Sequence, residues 1–293
     1  MKTNPTLRRW CAARFFALLL FPVCALAFHP PEGARLDDFD GRGAAAPAAK
    51  NAAAEAALAT AAPGVRVDRD RVTGGAAFVA ADGIMLTKPL RARGAAAAAP
   101  VDHAKVVQGF LNTHRGIFRH GAEALTGART LRDYTTDANG VRTMVWQQQL
   151  DGVRIFESTL HAHVTAAGEL VNVSSRMLAN AAAASQLTAP QRAARLAAPA
   201  VTARRAVALA GKNLREEMAE ADVVEDGAAE GAEQRQKFRA AALPDATAEL
   251  RWLPMDDSHL RLCWEVVTAV QSRGEMFTCS STRRPARRWC GRG

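Results

Sequence analysis

Three turn signals within residues 129–176 constrain the fold of this chain more than any other feature. They lie at Asn139-Gly140, Asp151-Gly152 and Ala167-Gly168. The four segments that they separate are rich in Val, Thr, Ile, Leu or aromatic residues, which suit a pleated, half-buried surface. Asn-Gly or Asp-Gly between two such segments is a strong β-hairpin signal. The sequence therefore predicts a four-stranded antiparallel meander.

One helix is predicted before the meander and another after it. Asp102 is the expected N-cap of the first, because its side chain can accept hydrogen bonds from free backbone N–H groups. The apolar residues of this helix recur near a helical period, at Val106, Val107, Phe110, Leu111, Ile117 and Phe118. The second helix is expected at residues 201–214. Other strands are expected on both sides of Gly74-Gly75, at 248–253, at 260–270 and from Glu275 to Phe277.

These elements predict an α+β fold with two units, each a helix packed on an antiparallel sheet. The first unit covers residues 64–180 and the second covers residues 181–277. The other segments are low in large apolar residues. They are a disordered or weakly helical leader at 28–63, a linker at 91–100, an Ala-rich connector at 179–200 and a mobile acidic insertion at 216–233.

The net charge of +9 is concentrated at the two ends of the chain. Residues 1–27 carry four basic and no acidic residues, and residues 278–293 carry five basic and no acidic residues. The remaining residues are balanced in charge, which argues against a nucleic-acid partner.

Residues 1–27 have the pattern of a secretory signal peptide. Basic residues precede a short apolar segment, and Ala25-Leu26-Ala27 supplies the small residues of a cleavage site. A membrane anchor is the weaker alternative, because the apolar segment is shorter than the roughly 20 residues that span a bilayer. We therefore expect a secreted or periplasmic protein with no membrane association after cleavage.

Residues 278–293 are expected not to continue the strand that begins at Glu275, because they are neither amphipathic nor regularly patterned. One interpretation is a disordered basic tail. The other is a frameshift, since a shifted reading of G/C-rich codons can give two strands around an Ala-Gly turn. Under the frameshift interpretation, Cys279 and Cys290 are accidental, and the second unit lacks its last hairpin and exposes a strand edge.

The segment GVRTMVWQQQLDGVRIFESTLHAHVTAAGELVNVSSR resembles the fungalysin/thermolysin propeptide domain. The resemblance rests on a Gln-rich strand, a Gly turn, a strand opening with a hydrophobic–Phe pair and a second Gly turn. Here these are Gln147-Gln148-Gln149, Asp151-Gly152, Ile155-Phe156 and Gly168. The helix at 201–214 and the strand at 262–267 resemble the PepSY-type second half of such prosegments.

The resemblance implies a prosegment that assists the folding of a secreted zinc peptidase and blocks its active site. The peptidase itself needs His-Glu-x-x-His on a helix. None of the seven histidines, His29, His103, His114, His120, His161, His163 and His259, has this arrangement. We therefore expect no catalytic, cofactor-binding or metal-binding residue in this chain, and zinc only in a peptidase domain encoded elsewhere.

Three functional hypotheses follow. The chain is a prosegment fragment that binds a fungalysin-like peptidase in cis or in trans, a stand-alone secreted protease inhibitor or binding protein, or, least supported, an enzyme. Two local features have alternative interpretations. His161 and His163 share a strand face and are expected to be part of a polar outward face and not a metal site. The residues Gln147–Gln149 either line a peptide-binding edge or form cross-strand hydrogen bonds.

Overall fold

The structure is a computed structural model that describes residues 39–40, 42, 51–90, 100–216, 218–270, 275–281 and 289–292. The fold is mixed, with six helices and one large sheet among these residues. The helices are α1 (Ala52–Ala61), α2 (His103–Thr113), α3 (Arg115–Phe118), α4 (Ala181–Ala184), α5 (Ala189–Ala197) and α6 (Ala203–Asn213).

Thirteen strands make up the sheet. The first seven are β1 (Phe39–Asp40), β2 (Val65–Arg69), β3 (Ala76–Ala81), β4 (Arg129–Thr135), β5 (Arg142–Leu150), β6 (Val153–Val164) and β7 (Leu170–Ser175). The remaining six are β8 (Val224–Glu225), β9 (Gln236–Arg239), β10 (Ala246–Pro254), β11 (Leu260–Val270), β12 (Glu275–Ser281) and β13 (Trp289–Arg292).

The predicted meander is confirmed. Strands β4, β5, β6 and β7 pair in sequence order, and every pair is antiparallel. The sheet continues from β7 to β3 and β2, whose predicted hairpin is also confirmed. In the other direction β6 meets β10 in a parallel pairing at Ile155 and Trp252, and β10 leads to β11, β12 and β13. One sheet therefore runs through both predicted units.

The two predicted helices are confirmed, and each belongs to a separate apolar core. Asp102 caps α2, because its side chain accepts a hydrogen bond from the backbone N–H of Lys105 at 3.1 Å. Helix α2 contributes Val107 to a core that also contains Met144 of β5. Helix α6 belongs to a second core, which includes Leu150 of β5.

Met144 and Leu150 lie on the same face of β5, because alternate residues of a strand point to the same side. Both helix-containing cores therefore pack on one face of the sheet. Neither core includes the side chains of Thr143, Val145 or Gln147, which belong to the opposite face of β5. We call this opposite side of β2–β7 the helix-free face.

The described part of the leader after residue 50 contains a helix. Residues 52–61 form helix α1, and the side chain of Asn51 caps it by accepting from the N–H of Ala54 at 3.1 Å. Leu58 is fully buried in the first core. Of the two expected states of the leader, disordered or weakly helical, the helical one is therefore correct for residues 52–61.

The connector and the acidic insertion both contain secondary structure that the sequence did not predict. Helices α4 and α5 occupy the connector, and Thr188 and Gln191 form a reciprocal capping box at the start of α5. Within the insertion, β8 pairs with β9, and Glu233 accepts hydrogen bonds from Arg154 of β6. Charged and backbone contacts therefore connect these described residues to the sheet.

The strand that was expected to end at Phe277 continues to Ser281 as β12. Strand β13 pairs with it and places Cys290 opposite Cys279, which is disulfide-bonded. The expected open edge is therefore covered by β13, and β1 pairs with β13 in turn. The frameshift itself stays a hypothesis. The predicted signal peptide and residues 91–99 of the linker lie outside the described residues.

No helix among the described residues is long and apolar enough to cross a membrane.

Candidate functional site

The meander contains an irregularity where β5 and β6 lose their regular register. Gln147 is opposite Thr159, but Gln149 is opposite Arg154, so several residues of β6 lie opposite Gln148 alone. The backbone of Glu157 in this bulge adopts a φ of 55°. Such a bulge breaks the ladder and leaves backbone carbonyls without strand partners.

The glutamine side chains supply the missing hydrogen bonds. The Gln147 amide nitrogen donates to the carbonyl oxygens of Ile155 at 2.8 Å and Ser158 at 3.0 Å. The Gln148 side-chain oxygen accepts from the Ser158 hydroxyl at 2.8 Å and from the N–H of Leu178 at 2.9 Å. Both glutamines are buried. Of the two interpretations of the Gln run, hydrogen bonding within the sheet is therefore correct for these two residues.

Because of the bulge, β6 contributes side chains to both apolar cores. Beyond it, Val153 and Ile155 enter the second core, whereas Leu160 lies in the first. The indole N–H of Trp252 on β10 donates to the carbonyl of Leu150 at 3.2 Å. The Gln-rich strand therefore stabilises the junction at which the meander joins the C-terminal strands.

A cluster of buried and partly buried charges lies beside this junction. Arg154 Nε is 2.6 Å from Glu233 Oε1, and Arg251 Nη1 is 2.8 Å from the same oxygen. Arg251 Nε is also 2.8 Å from Glu265 Oε2. Arg154 and Arg251 both contact Glu249 as well. Two arginines and three glutamates thus connect β6, β10, β11 and the acidic insertion.

Glu233 and Glu265, two glutamates of this cluster, have opposite pKa shifts. Burial raises the pKa of Glu233, but hydrogen bonds from Arg154 and the charge of Arg251 outweigh burial and lower the pKa to about 2. Burial raises the pKa of Glu265, and the neighbouring charge of Glu249 raises it further against the effect of Arg251. Glu233 is therefore a firmly ionised partner, whereas Glu265 retains its proton to higher pH than an ordinary glutamate.

The helix-free face carries a row of side chains across six strands. In register, Arg132 of β4 is followed by Val145, His161, Ser174 and Phe78 of β5, β6, β7 and β3, and finally by Asp68 of β2. A parallel row begins at Tyr134 and passes through Thr143, His163 and Asn172. The two rows make a mixed polar and aromatic surface.

The two histidines of this face hydrogen-bond to neutral neighbours. His163 Nδ1 is 2.7 Å from Asn172 Oδ1, and His161 Nε2 is 3.2 Å from Thr159 Oγ1. Burial and the adjacent His163 lower the pKa of His161, which favours the uncharged ring. Within the described residues, no group of three or more His, Cys, Asp or Glu side chains is arranged to hold a metal ion. The contacts are those of the predicted polar outward face.

Strand β4 differs from its neighbours because all seven of its residues are exposed. Leu131 and Tyr134 are 47% and 50% exposed. Among the described residues, β4 pairs with β5 alone, so it forms an edge of the sheet. The sequence predicted this strand but not its exposure, because exposure depends on which elements pack around the strand.

The meander, its buried glutamines and its exposed strand β4 lie within one recognisable sequence motif. Residues 129–177 match the Fungalysin/Thermolysin Propeptide Motif. This propeptide motif begins at the first residue of β4 and ends just after β7. It therefore includes the whole meander, the bulge and those residues of the two rows that lie on β4–β7. The suggested resemblance to a peptidase propeptide is thus confirmed for this stretch.

Other comparisons add little to this match. The C-terminal domain of Bacillus megaterium YpeB aligns with 78% of this chain and 76% of its own, at 11% identity and a TM-score of 0.25. A similarity of this size supports no argument about shared fold or function. No well-characterised protein shows a significant sequence match to the chain.

Proposed function

We propose that this chain is the propeptide module of a fungalysin-type zinc metallopeptidase, which it helps to fold and keeps inactive. The observation that carries the proposal is the match of the complete meander to the propeptide motif. The histidines of the sequence offer no His-Glu-x-x-His motif, so the zinc and the catalytic residues belong to the peptidase. The partner is the peptidase domain, in cis or in trans.

A sheet with a helix-free face suits both roles. The helices of both cores occupy one face of β5, and Thr143, Val145 and their neighbours on the other face do not enter those cores. A preformed surface binds with little loss of conformational entropy. Such a surface can stabilise the folded peptidase by mass action, because a ligand that binds only the native state raises its stability. By covering the cleft, the same surface would inhibit.

The bulge and the charge cluster keep this surface in one shape. Gln147 and Gln148 fix the path of β6, and Arg154 connects the meander to Glu233. We propose that the C-terminal half, from residue 181, is the PepSY-like second unit of the prosegment. In this arrangement it supports the meander from β10 and does not make the main contact with the peptidase.

We place the protein outside the cytoplasm, in keeping with the signal-like sequence of residues 1–27 and the disulfide bond of Cys279. The same disulfide and the pairing of β12 with β13 favour a second candidate function. In this second candidate the folded chain acts as a secreted inhibitor in trans, with the edge of β12 covered by β13.

The test is inhibition of mature fungalysin-type zinc peptidases by the purified chain. We expect a dose-dependent loss of casein cleavage at up to equimolar chain, and better recovery of activity when an unfolded peptidase is renatured with the chain present. Failure to inhibit or to assist refolding across several such peptidases would refute the proposal. Metal-dependent casein cleavage by the chain alone would refute its non-catalytic role. The DNA downstream of the codon for residue 293 distinguishes the two candidates, because a reading frame there that encodes His-Glu-x-x-His indicates a cis partner.

A further inference from the structure

Strand β4 does not bury a face against either apolar core. A strand in a two-layer protein normally buries one face against a core. All seven residues of Arg129–Thr135 are instead exposed, although the strand keeps its hydrogen bonds to β5. The identities of its side chains are therefore not explained by packing, and they are available to contact another molecule.

Register assigns three of these side chains to the helix-free face. Arg129, Arg132 and Tyr134 are opposite Gln147, Val145 and Thr143, respectively. These three partners lie on the face of β5 that neither helix-containing core uses. We call Arg129, Arg132 and Tyr134 the β4 surface.

The β4 surface keeps its positive charge. Asp133, the acidic residue of the strand, is opposite Met144 and therefore belongs to the other face. Its carboxylate accepts two hydrogen bonds from the guanidinium of Arg142, at 2.6 and 2.9 Å. Among the described residues, neither Arg129 nor Arg132 lies within ion-pair distance of a carboxylate. Asp133 therefore does not neutralise the two arginines.

Charged residues on an edge strand often serve only to prevent aggregation through strand pairing. That explanation accounts for two arginines, but not for Leu131 and Tyr134, which are about half exposed on the same strand. Exposed apolar side chains on an edge promote the association that the arginines would prevent. Arg and Tyr together are instead enriched among the residues that dominate binding energy at protein interfaces.

We propose that the β4 surface docks on an acidic area of the peptidase surface, with Arg129 and Arg132 opposite carboxylates and Tyr134 as the central anchor. This inference rests on the proposed propeptide function and names the contact through which it acts. Charge complementarity selects the partner area, because unpaired guanidinium groups attract carboxylates and steer their approach.

The experiment compares variants of the full chain as inhibitors of a mature fungalysin-type zinc peptidase, at low and at physiological salt. The test variant is Arg129→Glu/Arg132→Glu. The matched control is Arg195→Glu/Lys212→Glu, which makes the same change in net charge at exposed positions of α5 and α6. We expect the test variant to raise the inhibition constant at least about tenfold at low salt and to reduce its salt dependence. The control should stay within about twofold of the unaltered chain.

The variant Tyr134→Ala separates apolar from electrostatic contact. It should raise the inhibition constant by about tenfold at both salt concentrations, because an aromatic anchor acts mainly through buried area. All variants should unfold at the denaturant concentration of the unaltered chain, since β4 side chains are exposed.

Equal inhibition by the test variant and the unaltered chain overturns the inference and leaves the proposed function intact. Equal losses in the test and control variants also overturn it, and no inhibition by the unaltered chain overturns both proposals.

Discussion

The buried charge cluster allows a quantitative prediction for the variant Glu233→Gln. In the folded chain the pKa of Glu233 is lowered from 4.5 to about 2. At about 1.4 kcal/mol per pKa unit, this shift corresponds to about 3 kcal/mol of stabilisation at neutral pH. The Glu233 side chain is 18% exposed, so solvent screening reduces this stabilisation to about 2–3 kcal/mol. We expect the variant to lose that amount of unfolding free energy.

The pH dependence of this loss follows from the direction of the shift. Because the folded pKa lies below the unfolded value, the contribution of Glu233 is complete above about pH 5 and declines as the pH falls towards 2. Urea unfolding followed by tryptophan fluorescence should therefore show a large difference between variant and unaltered chain at pH 7. At about pH 3 the difference should be less than half as large.

The control for this experiment is Glu225→Gln, in the same acidic segment. Glu225 forms an ion pair with Arg204 at 2.9 Å, but its side chain is 49% exposed. Exposed pairs of this kind contribute about 0.2–1 kcal/mol, so the control should lose less than about 1 kcal/mol. If Glu233→Gln loses no more than the control, or if its loss does not change with pH, then Glu233 is not the ionised partner of a buried cluster.

Three further predictions concern stability. Gln147→Ala should lower the free energy of urea unfolding by about 2–3 kcal/mol, because two buried carbonyls of the bulge lose their donor. The control Gln149→Ala should lower it by less than about 1 kcal/mol. Equal losses in the two variants would contradict the role of Gln147. Thr188→Ala should cost about 1 kcal/mol through loss of the capping box, and Thr188→Ser should not. Burial and Glu249 raise the folded pKa of Glu265, so the stability from its proton is present at acid pH and lost as the pH rises through that pKa. Glu265→Gln should therefore reduce the fall in unfolding free energy as the pH rises above the ordinary pKa of a glutamate, and an unchanged slope would refute the assignment.

The elements that sequence analysis predicted correctly are governed by local rules. The turns of the meander need only neighbouring residues, and the start of α2 depends on Asp102 and an N–H three residues later. Helix α5 was missed although its capping pair, Thr188 and Gln191, has the three-residue spacing of a capping box. That signal was present in the sequence, but the Ala-rich composition led us to expect a connector.

The features that were not predicted depend on contacts between distant residues. The hydrogen bond between Arg154 and Glu233 joins positions 79 residues apart, and no local pattern relates them. Composition indicated that residues 216–233 were polar and mobile, whereas tertiary contacts desolvate Glu233 and provide it with two arginines. A solvated charge in a polar segment costs little free energy, and it stabilises structure only where the fold brings an oppositely charged partner close.

The sequence by itself determined the meander, its propeptide resemblance and the two main helices, because turn chemistry, strand alternation and capping act over a few residues. Tertiary structure alone decided how these elements are used. It turned Gln147 and Gln148 inward to complete a bulge, placed the helices of both cores on one side of β5 and left β4 exposed on both faces. The physical reason is that burial belongs to the assembled sheet and not to any strand in isolation, so the surface available for a partner becomes visible only in the folded chain.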